Sequence, residues 1–381
     1  MSSKYLIHKN NVLKVIYQNE NISRKKLHDL LDLRFATITN ITKELIEERL
    51  IEEIGREKSI NKGRPHTLLR IVPNSRFFIG CELEPEKILS LILNFKGEII
   101  SKEEVDFGKD IGKEEILNEI VNLIKKMVAK SKIEKNRIFG IGFVDPGIID
   151  IEKGVSIFST ILPQWKNVNT KQYIEEKIGI ETFIIGTSQA KVLSERFFGE
   201  GKEKDDFIFI EFGEGIGCGI MSKGRIVHGI GGVAGEFGHI QFPERTEVCN
   251  CGKKGCLEAI VSIPSIEKKI KEIVGKDLKI KEIKEEFDKG DEKIKEILKE
   301  VFELFSISIS NLINLLNPGL VILDKNFLFF KNLLNEFLIE NIKKHMVYQY
   351  DIKFEISKFG EEIGAIGGAC LSMSKFLKLD I

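Results

Sequence analysis

With 381 residues, 42% of them hydrophobic and 30% charged, the chain has the length for two or three globular domains and enough apolar content for ordinary cores. Formal net charge is zero, so the chain as a whole is neither a polycation nor an acidic tail. No run approaches about eighteen uncharged apolar residues, and MSSKYLIHKNN lacks an apolar signal core, so neither a membrane span nor a secretory leader is expected. Six cysteines, half of them in one cluster, then suit a reducing cytoplasm.

The charge is unevenly spread. Residues 1–72 carry fourteen Lys/Arg against nine Asp/Glu, which leaves the remainder acidic by the same margin. A basic head on an acidic body suits a nucleic-acid-binding module attached to something else. Val12, Leu13, Val15, Ile16 and Tyr17 predict a helix over 9–18, and Ser23 is a good N-cap for a second helix ending at Leu31. A third helix over 35–49 turns Ile38, Ile41, Leu45 and Ile46 inward, leaving Arg34, Thr37, Thr39, Asn40 and Lys43 largely on the opposite face. Strands over 50–54 and 67–72 enclose a polar tip, with Gly63, Arg64 and Pro65 at its base, narrow and basic enough for a minor groove. The order reads as a winged helix-turn-helix whose exposed side chains face DNA. A three-helix protein-interaction module with a solvated basic face is the competing reading.

From Phe77 the pattern changes. Strands are expected over 77–84, 87–95, 98–107 and 138–144, a helix over 113–132, and a helix–strand–helix run over 170–178, 182–185 and 188–198. A second half opens with a strand over 207–212 leading into Gly213-Glu214-Gly215-Ile216-Gly217-Cys218-Gly219, after which strand character resumes over 220–227. Glycines spaced in this way either expose amides to a phosphate or permit close hairpin packing. A Lys/Glu/Ile-rich helical region follows over 265–316, its charges read as solvated helix faces, then a strand at 320–323, a helix over 327–346, a strand at 352–356 and a helix over 364–377. The expected fold class is α/β: a winged helix-turn-helix at 1–72, then a two-lobed actin-like (ribonuclease H-like) kinase-type fold with lobes at 73–200 and 201–381.

Residues 235–258 hold His239, Cys249, Cys251 and Cys256, four soft ligands in a short stretch with glycines in the tight C-x-C-x4-C loop. They are expected to hold Zn2+ in a closed tetrahedral site, structural rather than hydrolytic. A disulfide or a redox thiol cluster are the alternatives, and neither uses His239. Glu236 and Glu258 bracket the loop as fixed polar groups suited to a polyhydroxylated ligand.

These motifs resemble the ROK family, which groups sugar kinases with sugar-responsive repressors. Gly235-Glu236-x-Gly238-His239 followed by Cys249-x-Cys251-Gly252-x-x-Gly255-Cys256-x-Glu258 is similar to the family's zinc and sugar motif. The segment 142–150 with Pro146-Gly147, and Leu162-Pro163-x-Trp165-Lys166, have family counterparts, and the head with Gly63-Arg64-Pro65 is similar to the repressor branch. The resemblance implies that Glu236, His239 and Glu258 contact a sugar, His239 also serving the metal. It implies operator DNA and a sugar or sugar-derived effector as partners, and a homodimer or homotetramer.

The departures from the family set the expected function. Family kinases carry Asn-Asp-x-Asn, its Asp the general base; the aligned stretch here is Gly186-Thr187-Ser188-Gln189, and a neutral hydroxyl is a poor base at neutral pH. The first phosphate loop reads Gly80-Cys81-Glu82-Leu83-Glu84-Pro85, whose carboxylates repel phosphates, and Asp324-Lys325 replaces the Gly-Gly expected near an adenine. Ile161 stands where many relatives have Asn. Asp145 reads either as an added polar contact to the sugar or as an exposed loop carboxylate. The reading is therefore a catalytically inactive sugar sensor on a DNA-binding transcriptional regulator, a repressor of carbohydrate-metabolism genes. The alternatives are an ATP-dependent sugar kinase that kept a DNA-binding head, and a sensor that reads a sugar-transport protein.

Overall fold

A computed structural model of the chain describes residues 3–56, 66–108 and 111–381. The head consists of α1 (Ser3–Gln18), a two-residue strand β1 (Ile22–Ser23), α2 (Arg24–Leu31), α3 (Phe35–Glu47), β2 (Ile51–Arg56) and β3 (Thr67–Ile71). Helix α1 starts earlier than its apolar residues require because its polar first turns are held by α3. The Tyr5 hydroxyl donates to Glu44 at 2.5 Å, and Lys9 lies 3.2 Å from Glu44 and 2.5 Å from Glu48. Ser23 caps α2 by accepting the Lys26 amide, and Asp32 ends it at φ 49°, which produces the tight turn into α3. Ile38, Ile41 and Leu45, three and four residues apart, are fully buried and form the inner stripe of α3. The strands pair antiparallel in the order β1-β3-β2, and Arg24 ties α2 to Glu53 of β2 at 2.7 Å.

Next come β4 (Phe77–Leu83), β5 (Lys87–Asn94), β6 (Ile99–Asp106), α4 (Lys113–Ser131), β7 (Ile138–Asp145), β8 (Ile148–Asp150), β9 (Val155–Phe158), α5 (Thr170–Ile178), β10 (Thr182–Gly186) and α6 (Thr187–Phe198). The sheet order is β10-β7-β4-β5-β6, with β4 antiparallel to β5 and parallel to β7. Strand β4 is buried at every residue, Glu82 included, as in a strand covered on both faces, while β6 alternates as an edge strand does. The β8–β9 hairpin was not among the expected elements; its strands are three and four residues long, too short to show a period.

The remaining elements are β11 (Phe207–Phe212), β12 (Ile216–Ser222), β13 (Arg225–Ile226), α7 (Glu258–Val261), α8 (Ile263–Val274), α9 (Ile280–Asp288), α10 (Glu292–Leu316), β14 (Leu320–Leu323), α11 (Lys331–Leu333), α12 (Glu340–His345), β15 (Lys353–Ile356) and α13 (Ile363–Phe376). Their sheet runs β13-β12-β11-β14-β15. Helix α10 is capped by Asp291 and buries Ile294, Leu298, Val301, Phe302, Phe305 and Ile309, so the charges of this region do lie on solvated faces. The single helix expected over 327–346 is broken. A 3-10 turn at Lys325–Phe330 buries Phe327 and Phe330 three residues apart, and a π-helical turn at Leu334–Ile339 precedes α12.

One expected loop is in fact mostly strand. Gly217 and Gly219 belong to β12, and a Cβ on Gly219 would lie 2.3 Å from the Ser188 carbonyl oxygen and from Val192 of α6. Those glycines let a helix approach the hairpin; only 213–215 is a turn.

The chain forms two compact units, one of residues 1–144, 170–184 and 368–381, the other of 145–169 and 185–367. They do not divide at the expected boundaries of 72/73 and 200/201. The head stays with the first unit, where Tyr17 of α1 stacks on Phe95 at 5.5 Å and its hydroxyl donates to Met373 at 3.3 Å. Helix α6 and residues 145–169 fall in the second unit. Among the described residues no helix is long and apolar enough to cross a membrane.

Candidate functional sites

In the second unit, the segment 235–239 lies flat along β12. Gly235, at φ 95°, would place a Cβ 1.9 Å from the Cys218 carbonyl oxygen, so only glycine fits where the chain turns toward His239. The cysteine loop is closed by backbone bonds: the Cys249 amide donates to Lys253, the Gly255 amide to Glu247 and the Phe242 amide to Gly255. Together these bring one donor atom each from His239, Cys249, Cys251 and Cys256 within 4.8 Å of one another. The Cys251 and Cys256 sulfurs are 3.7 Å apart, and Cys249 Sγ is 3.7 Å from His239 Nδ1. Sulfurs at about 2.3 Å from a tetrahedral zinc lie about 3.8 Å apart, and the two 3.7 Å separations stand at that spacing. Burial raises the Cys249 and Cys256 thiols; Cys251, against the same effect of burial, is drawn below the usual thiol range by the Lys253 amide and its two neighbours.

The two glutamates stand beside this cluster. Glu236 lies 3.6 Å from His239 Nε2, the nitrogen opposite the one that faces Cys249. Its carboxyl is raised above the usual range by burial and by the Glu258 carboxylate, with His239 opposing. Glu258, first residue of α7, accepts the Ile216 amide at 3.1 Å and the Cys249 thiol at 3.6 Å.

Asp145 is neither an exposed loop carboxylate nor a group left over for a ligand. It is 1% exposed and accepts Trp165 Nε1 at 2.9 Å, the Ser156 hydroxyl at 3.0 Å and the Gly147 amide at 2.9 Å. Burial nonetheless pushes its pKa up to about 6. Thr187 opens α6 and donates its hydroxyl to the Asp145 carbonyl at 3.3 Å, so its side chain is turned to the backbone. The Asp145–Trp165 tie is absent from the sequence reading; the chain's one tryptophan, twenty residues after an acid in a Pro-Gly turn, is the signal that marked it.

One turn further along α6, Lys191 lies 2.7 Å from Glu211 and 3.8 Å from Asp324. Ser188 donates to the other Glu211 oxygen, and Asn326 donates to the Phe212 carbonyl beside the Gly213 turn. Burial raises the Asp324 carboxyl, with Lys191 opposing. The ends of β11 and β14 thus carry two carboxylates and one ammonium that satisfy each other. In the first unit, Glu82 is buried on β4 and Glu84 is 3.7 Å from Lys87.

In the head, α3 presents Arg34 at its N-cap and Asn40 and Lys43 exposed; Thr37 is half-buried, and the exposed Thr39 donates its hydroxyl to the Phe35 carbonyl at 2.9 Å. Lys43 lies 3.9 Å from Glu47. Gly63, Arg64 and Pro65 lie outside the described residues.

Comparison with known proteins follows this division into head and body. A xylose repressor of Caldicellulosiruptor bescii is 33% identical over 377 residues, 95% of this chain and 94% of its own. A solved ROK-family transcriptional regulator, a homologue of the Escherichia coli MLC protein, superposes with a TM-score of 0.84 at 24% identity over 98% of both chains. A Thermus thermophilus ROK hexokinase superposes at 0.66 with 22% identity over 97% of its own length but 77% of this chain. The ROK family itself matches residues 78–375, and the chain belongs to that family.

Proposed function

We propose that this chain is a sequence-specific DNA-binding repressor of carbohydrate genes whose kinase-like body binds a sugar effector without phosphorylating it. The observation that carries the reading is the near full-length relationship to a xylose repressor, head included; Thr187, where the family resemblance puts the general base, supports it with a hydroxyl turned to the Asp145 carbonyl. The side chains nearby point the same way. Glu211, Glu214 and Asp324 surround the β11–β12 turn with negative charge, and Lys191, the cation lying among them, is already paired. A triphosphate meets repulsion there rather than a cradle.

Glu236, His239 and Glu258 are the sugar-facing residues in this proposal, and His239, Cys249, Cys251 and Cys256 hold zinc. Zinc held by these four residues would act as a cross-link, orienting His239 and the loop that carries Glu236. Xylose is the first sugar to try. The chain acts as a homodimer or homotetramer, so that two α3 helices enter successive major grooves through Arg34, Thr37, Thr39, Asn40 and Lys43, with Gly63, Arg64 and Pro65 at the minor groove. An effector changes DNA affinity only by binding the two conformations unequally.

A gel shift on DNA sites selected from a random duplex library, repeated with xylose and a panel of other sugars, tests the reading. The expected result is selective binding about 10³-fold or more above random DNA, altered by one class of sugar. Equal affinity for selected and random DNA refutes it, and steady sugar-dependent ADP release in a coupled assay establishes the kinase alternative.

A further inference from the structure

The side chain that the polar reading of α3 passes over is its first residue. Phe35 is 53% exposed at the start of the second helix of the helix-turn-helix, on a face continued by exposed Ala36, Thr39, Asn40 and Lys43. One side of the ring meets the edge of His28, centroids 6.4 Å apart at 71°, and His28 is itself held with Nδ1 2.6 Å from the Leu33 carbonyl oxygen. The ring is therefore aimed by α2 and left open outward. Immediately beside it, Thr39 has turned its hydroxyl to the Phe35 carbonyl, so the N-terminal end of this face offers carbon and the C-terminal end offers amide and ammonium.

We propose that Phe35 is a base-reading residue, its ring placed against the 5-methyl group of a thymine in the major groove. This rests on the DNA-binding reading above. Residues at the N-terminal end of such a helix are the ones that reach base edges. The thymine methyl is the apolar group those edges present, and phenylalanine and alanine are among the side chains that contact it. Asn40 and Lys43 then read or anchor through hydrogen bonds, and Phe35 adds preference for an A·T pair at a position they do not specify. It makes no phosphate contact, so it contributes to sequence preference and not to salt dependence.

The test uses the full-length protein and a site it selects from a random duplex library. Each thymine of that site is replaced in turn by uracil, which removes only the methyl, and the duplexes are titrated with wild type, Phe35→Ala and Phe35→Leu. Wild type is expected to lose about fourfold in affinity at one thymine, the worth of one methyl group withdrawn from contact. Phe35→Ala binds the parent site more weakly and ignores that uracil, Phe35→Leu still senses it, and all three share one salt slope and one thermal midpoint. Indifference of wild type to uracil at every position overturns the assignment, as does Phe35→Ala responding like wild type. Altered self-association of Phe35→Ala with its thymine response intact gives the ring to a protein contact and also overturns it. If the wild-type protein selects no sequence, the DNA-binding reading falls, and this assignment with it.

Discussion

Asp145→Asn separates the cost of burying a charge from the value of the hydrogen bonds around it. The native carboxylate accepts the Gly147 amide and Ser156 hydroxyl at Oδ1 and Trp165 Nε1 at Oδ2, yet burial lifts its pKa from 3.8 to about 6. Between those values the folded chain binds the proton more readily than the unfolded chain, so stability falls as pH rises, and the penalty is complete above about pH 6. At ~1.36 kcal/mol per pKa unit, the loss between about pH 4.5 and pH 7.5 comes to roughly 2 kcal/mol. Asparagine does not titrate. It keeps an oxygen for Gly147 and Ser156 but turns an NH2 toward the Trp165 N–H, which leaves a buried donor unmet at a cost of about 1–3 kcal/mol. The variant is therefore expected to be weaker than wild type at about pH 4.5 and to close that gap by roughly 2 kcal/mol at about pH 7.5. Urea unfolding followed by fluorescence of the one tryptophan reports it directly, and protonation of the cysteine cluster, common to both proteins, drops out of the difference. A gap that stays constant, or widens toward neutral pH, refutes the reasoning.

Four shorter predictions accompany it. Cys256→Ser should lose about one equivalent of zinc per chain by elemental analysis and several kcal/mol of stability; unchanged metal content would remove zinc from the account. Thr187→Asp should not restore sugar-dependent ADP release, because Lys191 remains committed to Glu211 and Asp324; turnover in the coupled assay would show the nucleotide site to be intact. Lys43→Ala should weaken binding to all duplexes alike and lower the salt slope by about one, whereas Asn40→Ala should relax sequence preference, both read by titration at several salt concentrations. Gly142→Ala should cost about 3 kcal/mol or more, since its Cβ would sit 1.8 Å from the Gly368 carbonyl oxygen, and a near-native urea midpoint would contradict that packing.

What could be read directly from the residues was whatever depended on near neighbours in the chain. The inner stripe of α3, the Ser23 cap and the strand runs of β4, β5 and β11 follow from spacing and local hydrogen-bonding capacity. So did the cysteine cluster, whose ligands fall in a short stretch of chain and whose glycines are placed where the loop must fold back. Breaks in helices were less visible, because Phe327 and Phe330 satisfy a 3.6-residue period nearly as well as the tighter turn they adopt.

Tertiary structure decided the rest, by choosing partners distant in the chain. Asp145 read equally as a ligand contact or a surface charge until Trp165 and Ser156 closed over it. Glycines 217 and 219 had a spacing that suited either a phosphate loop or close packing of a hairpin, and the approach of α6 to β12 accounts for them by packing. Lys191, Glu211 and Asp324 are ordinary charges in sequence, separated by twenty and more than a hundred residues, and only the packing of α6 against the sheet brings them together. The amino-acid sequence determined which chemistry each segment carried, because propensity, capping and metal affinity act over a few residues. Which groups stay free to meet a ligand was settled by burial, and burial is a property of the whole fold.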